Sequence, residues 1–580
     1  MFKLFRYLKN YKKESVIGPL FKLIEACFEL AVPLVMADII DIGIASEDKG
    51  YVFRMGGIMV LLGVLGLSCS LTAQFFAAKA SVGFGTELRT DLFHHINTLS
   101  YKEIDEIGNS TLITRMTSDI NTAQSGVNIL LRLLLRSPFI VLGSVIMAFT
   151  ISVKLTLIFL VIAPCLAYVI YKIMSTTIPR YKVIQKTLDK TNLMTGEMLT
   201  GARVIRAFSR QQDEENQLNG TNEELTRLQI AAGRINALMN PLTYVIVNTA
   251  IGVLIWSGAK TVNSGGISQG ELIALINYMN QILLALLAMA ILVTNITKMQ
   301  ASAVRINDVF AVSPSVTDNG NETVTEQSNA PCVEFKNVSF SYHQNDEYAL
   351  ENISFSVKKG ETVGIIGGTG SGKTTLIDLI PRFYDCTCGE VYVDGVDVKS
   401  YPFKQLRQKI GIVPQRAVLF KGTVRDNMRF RNEQATDGEI IKALKTAQAY
   451  DFVMDKPDKL DEMILQEGKN LSGGQRQRLT IARAFVGSPE IVILDDSASA
   501  LDLATDARLR KAIAELQGSM TVFIVSQRIS SIKNAEKIIV LDDGRIAGIG
   551  SHAELFADCP VYKEICLSQL SEEEVKGIGK

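Results

Sequence analysis

The sequence predicts two joined domains, an all-α transmembrane domain of six spans followed by an α/β domain. Three observations lead to this prediction. The first half of the 580 residues holds five long apolar stretches, each near or above the roughly 17–25 residues that span a bilayer. The second half alternates short β-branched runs with helical patterns, which indicates a mainly parallel sheet covered by helices. A glycine-rich segment, residues 367–374, directly follows one of those β-branched runs.

Composition limits the classes of protein to which the chain belongs. Hydrophobic residues make up 47% of it, and 60 Lys and Arg balance 60 Asp and Glu. This excludes disorder and gives no support to a nucleic-acid partner, since nucleic-acid binding normally leaves a basic excess. Among the eight cysteines only Cys386 and Cys388 lie close together, and no second pair completes a zinc site. We therefore interpret the cysteines as free thiols.

The predicted spans account for most of the first half. Five stretches contain no charged residue: 55–78, 137–153, 155–171, 235–259 and 272–297. A sixth apolar segment, at about residues 16–42, carries Glu25, Glu29 and Asp38. Such interruptions are also typical of a soluble helix, but beside five clear neighbours we assign a sixth span. The basic amphipathic residues 1–14 have no cleavage site, so no cleavable signal peptide is expected.

Loop charges predict the orientation of these spans. The short loops at about residues 43–53, 150–154 and 260–271 carry few basic residues, whereas the N-terminus and the long stretches 79–136 and 172–234 carry many. The basic stretches, both termini and the α/β domain are therefore expected in the cytosol, and the protein in the cell membrane as a multi-pass protein. Helical periodicity in the long stretches predicts two hairpins that project roughly 33 Å from the bilayer at 1.5 Å per residue.

Charged side chains in or near the spans leave two interpretations open. Glu25 and Glu29 lie one turn apart, either in the wall of a cavity for a cationic or polar substrate or as a structural pair with partners. Arg132 and Arg136 have the same spacing and are expected at the membrane boundary, where long basic side chains reach headgroups. Three amides of the last span either bond across helices or line a pathway: Asn277, Asn280 and Gln281.

The second half begins after a polar linker. We place the transmembrane domain at residues 1–312, the linker at 313–331, the α/β domain at 332–570 and a polar tail at 571–580. The linker is rich in Ser, Thr, Asn, Asp and Glu and has no apolar period. The predicted strands of the α/β domain are residues 332–340, 362–366, 410–413, 491–494, 521–525 and 537–541.

Residues 367–374 have the spacing of a phosphate-binding loop (P-loop), Gly, four free positions and then Gly-Lys-Thr. The glycines let backbone N–H groups close around a polyphosphate, Lys373 reaches its terminal phosphates and Thr374 offers a hydroxyl to Mg²⁺. A chance glycine-rich turn would lack the strand before it and the apolar helix after it. We therefore predict that ATP and Mg²⁺ bind to Gly367, Gly368, Thr369, Gly370, Ser371, Gly372, Lys373, Thr374 and Thr375.

The motifs that follow stand in a recognisable order. A Leu-Ser-Gly-Gly-Gln segment precedes a helix, and the apolar run 491–494 then leads into Asp495. With this order the chain resembles an ATP-binding cassette (ABC) transporter of the exporter type, one six-span membrane domain fused to one P-loop nucleotide-binding domain. The resemblance covers about residues 1–569 and is strongest at 335–550. Such a half-transporter is expected to work with a second half-transporter.

The resemblance implies roles for matching residues. Tyr342 matches the aromatic that stacks on adenine, and Gln415 the glutamine that senses Mg²⁺ and the γ-phosphate. Asp495 matches the carboxylate that holds Mg²⁺ through water. Asp502, in a segment that starts at Ser499, matches the residue that communicates between the two ATP sites. Four residues are implied to contact the γ-phosphate of ATP held by another subunit: Ser472, Gly473, Gly474 and Gln475.

Two positions depart from the family pattern. Asp496 stands where hydrolytic sites have Glu, and Gln527 where they have His. Asp is one methylene shorter, and displacing a catalytic group by about 1 Å loses on the order of 10²-fold in rate. Gln holds no cation near neutral pH, so it lacks the charge and proton handling of His. Both substitutions fall in this chain's own site, so that site is predicted to be degenerate, although slow hydrolysis with a tolerated Asp is an alternative.

These departures predict one subunit of a heterodimer that resembles the bacterial heterodimeric multidrug exporters. Its Ser472 segment would complete a hydrolytic site on a partner with intact Glu and His. The expected function is export of drugs or other amphipathic substrates from the cytosol through the lipid bilayer. The rival interpretations are a regulatory ABC subunit that gates a partner and an importer with the exporter fold.

Overall fold

The computed structural model describes residues 3–318, 324, 327, 330–342, 347–497, 500–516, 518 and 520–569. The chain divides into two compact units, Met1–Asn97 with Asn109–Ala311, and Thr98–Gly108 with Val312–Lys580. Part of the predicted linker and the whole predicted tail, residues 571–580, lie outside the described residues.

The described part of the first unit is helical. Its helices, together with α3 of the second unit, are α1 Lys12–Asp38, α2 Lys49–Thr98, α3 Tyr101–Ile107, α4 Asn109–Thr114, α5 Ile120–Leu133, α6 Arg136–Ile151, α7 Val153–Thr200, α8 Ala202–Ala207, α9 Gln211–Ala237, α10 Met239–Asn263 and α11 Gln269–Ala311. Glycines end two of them, because Gly108 caps α3 at φ +82° and Gly201 caps α7. Both glycines lie near the midpoints of the stretches predicted to form hairpins, 79–136 and 172–234.

Five helical runs of the described chain are long and apolar enough to cross a membrane: Lys49–Thr98, Asn109–Ile151, Val153–Thr200, Gln211–Asn263 and Gln269–Ala311. These runs contain four of the five predicted charge-free spans completely, and the remaining span, 137–153, extends two residues past the end of Asn109–Ile151. Helix α1 is not among them, because Lys22, Glu25 and Glu29 interrupt its apolar sequence. Its assignment as a sixth span therefore stays a prediction.

Helix α11 is central to the first unit and joins its neighbours through polar contacts as well as apolar packing. Tyr278 is fully buried and donates a hydrogen bond to the Leu30 carbonyl at 2.7 Å. Gln281 donates to the Glu29 carbonyl at 3.1 Å and accepts from Ser144 at 3.4 Å. Gln281 therefore bonds across helices, which is the first of the two alternatives given for the amides of this helix.

The described part of the second unit contains three sheets. Its strands are β1 Val333–Phe340, β2 Leu350–Val357, β3 Thr362–Gly367, β4 Cys388–Val393, β5 Val396–Asp397, β6 Ile410–Val413, β7 Gly422–Thr423, β8 Met463–Ile464, β9 Ile491–Asp495, β10 Thr521–Val525, β11 Lys537–Asp542 and β12 Arg545–Gly550. Its remaining helices are α12 Lys373–Asp378, α13 Phe403–Lys409, α14 Val424–Arg429, α15 Asp437–Thr446, α16 Tyr450–Met454, α17 Gly473–Phe485, α18 Leu503–Ala514, α19 Ile529–Ile532, α20 His552–Asp558 and α21 Pro560–Gln569.

The largest sheet has the strand order β12-β11-β3-β10-β9-β6 and is parallel except at β12. Every residue of β3 and of β9 is buried, which explains their unbroken apolar sequences. The predicted fold class is therefore confirmed. One expected strand belongs elsewhere, because β1 pairs antiparallel with β2 and β4 in a four-stranded sheet. Its polar-apolar alternation fits a sheet with one open face.

A buried ion cluster joins the ends of β4, α13 and β9. Asp394 is 1% exposed. Its Oδ2 lies 2.8 Å from the Lys409 ammonium and its Oδ1 lies 2.8 Å from the Lys359 ammonium. Lys409 also pairs with Glu490 at 2.9 Å. Because both members of the Asp394–Lys409 pair are buried, removing one leaves an uncompensated charge away from water.

Lys409→Met is expected to destabilise the second unit by about 3 kcal/mol, the lower end for breaking a buried ion pair, since Lys359 still neutralises part of the Asp394 charge. Native-state hydrogen exchange of the β6 and β9 amides in the full chain measures this loss. The matched control is Lys359→Met, whose side chain is 49% exposed and whose loss should be smaller. Equal protection in wild type and Lys409→Met would contradict the expectation.

Candidate nucleotide site

The P-loop connects the central strand β3 to helix α12. Strand β3 lies between β10 and β11, with Ile365 opposite Val525 on one side and Ile539 on the other. The chain turns back into α12 through Gly370 and Gly372, which have φ of +85° and +90°. Side chains rarely adopt these left-handed conformations, so the glycines allow the tight loop.

Lys373, the first residue of α12, is folded back over the loop. Its ammonium donates to the carbonyls of Gly367 at 3.1 Å and Gly368 at 2.6 Å. Burial lowers the pKa of Lys373, and the nearby carboxylates Asp495 and Asp496 oppose this effect. The ammonium therefore lies in the concavity of the loop, where a polyphosphate would meet it.

Thr374 and Asp495 form a pair of oxygen ligands at the edge of the sheet. The Thr374 hydroxyl donates to Asp495 Oδ2 at 3.0 Å, although 121 residues separate them. Burial raises the pKa of Asp495, and the charge of Asp496 adds to this shift. Hydroxyl and carboxylate oxygens suit Mg²⁺, which usually keeps water and substrate phosphates as its other ligands. The described residues contain no group of three or more His, Cys, Asp or Glu side chains that could hold a metal ion.

Asp496 lies just past the end of β9 in a left-handed conformation, with φ +42°, and its backbone N–H donates to the Val525 carbonyl at 2.9 Å. Its carboxylate accepts a hydrogen bond from the Gln415 side chain, and burial raises its pKa. Two residues past the end of the neighbouring strand β10, the Gln527 carbonyl accepts from Gln569 of α21 at 2.7 Å. The two positions that depart from the family pattern therefore follow adjacent strands.

A cavity of about 340 Å³ brings most of the predicted residues of this site together. Three of the predicted residues belong to the loop but do not line the cavity: Gly367, Gly368 and Ser371. The lining residues are Tyr342, Ala349, Thr369, Gly370, Gly372, Lys373, Thr374, Thr375, Gln415, Asp495, Asp496, Val525, Ser526 and Gln527. Sequence reasoning missed Ala349, Val525 and Ser526; the last two directly precede Gln527, whereas nothing in the sequence around Ala349 marks it.

The tyrosine predicted to stack on adenine is held at one end of this cavity. The Tyr342 hydroxyl bonds to Thr375 at 2.9 Å, and its ring meets that of Tyr384 edge-on at 5.5 Å. Tyr384 in turn donates to Asp105 of α3 at 3.4 Å. This end of the cavity is thus connected to α3 through two aromatic rings.

Asp378, on the helix that follows the loop, is a further titratable group that sequence reasoning missed. Burial raises its pKa to about 7, and the negative charge of Asp495 contributes. No motif marks the residue, because its unusual environment depends on packing between distant segments.

Ser472 and Asp502 do not line the described cavity. Ser472 caps α17: its hydroxyl accepts from the Gln475 N–H at 3.2 Å, and the Gln475 side chain accepts from the Ser472 N–H at 3.0 Å. Asp502 caps α18 by accepting from the Thr505 N–H at 2.9 Å, and this lowers its pKa. Ser499, at the start of that segment, lies outside the described residues. Both segments therefore form capped helix N-termini whose capping residues do not line the described cavity.

Comparisons with known proteins cover both units. The family described as "ABC transporter transmembrane region" matches residues 15–286, and the family described as "ABC transporter" matches residues 350–499. An uncharacterized ABC transporter ATP-binding protein of Mycobacterium tuberculosis is 36% identical over 99% of this chain and 99% of its own length. An ATP-dependent lipid A-core flippase of Syntrophus aciditrophicus is 30% identical over 84% of this chain and 81% of its own. The structure of a bacterial Atm1-family ABC exporter with ATP bound has a TM-score of 0.80 at 22% identity, covering 97% of this chain and 99% of that one.

Proposed function

This chain belongs to the ABC transporter family as an exporter-type half-transporter, and from that premise we propose that it is the degenerate-site subunit of a heterodimeric exporter. One observation carries the proposal. Asp496 and Gln527 share a cavity with Lys373 and Thr374, which belong to a P-loop that matches its pattern in full. Ser472 does not line that cavity. The substitutions therefore affect ATP held by this chain, while the unaltered Ser472 segment is left to serve ATP held by a partner.

We attribute the proposed defect of this site to the short side chain of Asp496 and not to a loss of its basicity. Burial raises the pKa of Asp496, so its carboxylate is not a weaker base than usual. Its side chain is one methylene shorter than Glu, however, and it already accepts a hydrogen bond from Gln415. A water molecule positioned for the longer carboxylate would lie about 1 Å too far away, which is enough to lose on the order of 10²-fold in rate.

The proposed nucleotide ligands are ATP and Mg²⁺. The P-loop N–H groups and Lys373 would hold the phosphates, and Tyr342 the adenine. Mg²⁺, which neutralises phosphate charge when bound, would be held by Thr374 and Gln415 and, through water, by Asp495. The lining of the described cavity suits both ligands. Lys373 supplies a positive charge for the phosphates, and the only acidic groups in the lining are Asp495 and Asp496.

In the proposed cycle ATP joins the nucleotide-binding domains of two half-transporters head to tail. The cytosolic helical hairpins transmit this closure to the membrane spans, which switch from inward-facing to outward-facing. Hydrolysis at the partner's site resets the assembly, while ATP in this chain's site persists through turnovers. The apolar spans and the relative named as a lipid A-core flippase support an amphipathic substrate taken from the cytosolic side of the cell membrane.

ATPase measurements on the chain purified alone and with its partner test the proposal. We expect the isolated chain to hydrolyse ATP about 10²-fold more slowly than the assembly. Full activity of the isolated chain would refute the degenerate site. Transport assays in inverted and right-side-out vesicles test the direction: uptake only into right-side-out vesicles would indicate an importer, and ATPase without transport a regulatory subunit.

A further inference from the structure

Helix α21 holds the loop that follows strand β10 through one side chain, that of its last residue, Gln569. Oε1 of Gln569 accepts from the Ile529 N–H at 2.9 Å, and Nε2 donates to the Gln527 carbonyl at 2.7 Å. A single amide therefore bridges the two residues on either side of Arg528. Residues 526–529 are named the switch loop below, and the two hydrogen bonds of Gln569 are named the clamp.

The chemistry of the clamp requires an amide. A backbone N–H only donates and a backbone carbonyl only accepts, so the side chain between them needs one acceptor and one donor. Ile529 is the first residue of α19, and the first N–H groups of a helix have no acceptor within that helix. Gln569 supplies this acceptor from another helix. An ionised carboxylate of the same length would satisfy Ile529 and repel the Gln527 carbonyl.

Helix α21 is anchored by contacts that do not involve Gln569. Tyr562 and Cys566 are fully buried, and they belong to the same apolar cluster as Ile529 of α19. The Tyr562 hydroxyl also bonds to Nδ1 of His552 at 2.7 Å. Gln569 itself is exposed. Replacing it should therefore remove the clamp without opening the apolar core.

The switch loop is fixed at both ends, and it reaches the nucleotide cavity between them. The Ser526 N–H donates to the carbonyl of Ile365 in the central strand β3 at 3.1 Å. The Arg528 N–H donates to the Ser526 hydroxyl at 3.0 Å, and the clamp then holds Ile529. Ser526 and Gln527 line the nucleotide cavity. The clamp thus acts on the backbone from which a cavity-lining side chain extends.

The switch loop also affects the charge of the cavity. Burial raises the pKa of Asp496, and the positive charge of Arg528 opposes this shift. Arg528 lies between the two residues that the clamp bridges. The position of this loop therefore influences the electrostatics around Asp496 as well as the position of Gln527.

We propose that Gln569 is a positioning residue for the terminal phosphate of ATP in this chain's site. The clamp fixes the Gln527 backbone, so that the Gln527 side chain meets the γ-phosphate beside Lys373. ADP lacks this phosphate, so the clamp contributes to the binding of ATP and not to that of ADP. The inference rests on the proposed function, in which ATP persists in this site, and it extends that function by giving α21 a part in the choice between the two nucleotides.

Competition photolabelling of the purified assembly tests this. The probe is 8-azido-ATP with Mg²⁺ on ice, electrophoresis separates the two chains, and unlabelled ATP or ADP competes for the label on this chain. Gln569→Met keeps the length of the side chain and replaces the amide by a thioether. We expect it to weaken competition by ATP about fivefold, since hydrogen bonds that hold the loop are lost, and to leave competition by ADP unchanged.

The matched control is Gln434→Met, which makes the same chemical change at an exposed residue of the same unit and should alter neither nucleotide. Hydrogen exchange verifies the clamp: the peptide of residues 526–532 should exchange faster in Gln569→Met, and strand β10 should not. Unchanged exchange of that peptide, or equal weakening of ATP and ADP, would overturn the inference, because a purely structural role affects both nucleotides alike.

The ATPase activity of the isolated wild-type chain is measured in parallel and keeps the two proposals apart. Full activity there refutes the degenerate site and leaves the role of Gln569 in nucleotide choice standing. An unchanged preference for ATP over ADP in Gln569→Met, with slow hydrolysis by the isolated chain, overturns only the inference about Gln569.

Discussion

Gly473→Asp is expected to abolish most ATP hydrolysis by the assembled exporter while leaving the fold of this chain intact. A Cβ at Gly473 meets no atom within 4 Å in the described structure, so the new side chain has room. Gly473 is the first residue of α17, where an acidic side chain favours the helix. The same negative charge would oppose the γ-phosphate of ATP on the partner. Losing one preorganised contact to a reacting group costs about 10²–10³-fold in rate.

The matched control is Gly473→Ala, which fills the same open space without adding charge and should retain activity close to wild type. Steady-state ATPase of the assembly measures the effect, and hydrogen exchange in α17 verifies that the helix is retained. Substantial hydrolysis by Gly473→Asp would mean that the Ser472 segment does not complete a hydrolytic site.

The second large effect concerns this chain's own site. The double substitution Asp496→Glu with Gln527→His is expected to raise hydrolysis there by about 10²-fold, because Glu restores the missing methylene and His restores a group that takes up a proton. Both side chains line the nucleotide cavity. The fixed contact of Gln527 is made by its carbonyl, to Gln569, so the side chain is replaced without loss of that hydrogen bond.

The gain is best measured in an assembly that also carries Gly473→Asp, in which the partner's site should be silent. Any hydrolysis that the double substitution restores then arises at the P-loop of this chain. Asp496→Asn in otherwise unchanged protein serves as the control, and it should have little effect on total hydrolysis. A double variant that is no faster than its parent would place the defect elsewhere.

Local chemistry made the P-loop predictable. Gly370 and Gly372 adopt the left-handed conformations that the glycine pattern requires, and Lys373 begins the expected helix. The apolar runs predicted the central strands for the same reason, since a strand buried on both faces needs an unbroken apolar sequence. Strand pairing was less predictable: β1 has a suitable sequence for a strand, but its position in a separate antiparallel sheet depends on β2 and β4.

Contacts between distant residues required the tertiary structure. The sequence contains Thr374 and Asp495 but does not show that their oxygens meet at 3.0 Å. Asp378 has no motif, yet packing raises its pKa to about 7. The acidic residues of α1 are the clearest case, because Glu25 and Glu29 look like a cation site until Lys22 and Arg136 are found beside them.

The sequence by itself determined the family and the domain types and predicted the residues of the nucleotide site, because those depend on spacing within short segments. Only the tertiary structure decided which of them share a cavity, that Ser472 does not line it, and that Glu25 and Glu29 have basic partners. The physical reason is that pairing between charges depends on distance in space, and folding brings together side chains that the chain itself separates by more than a hundred residues.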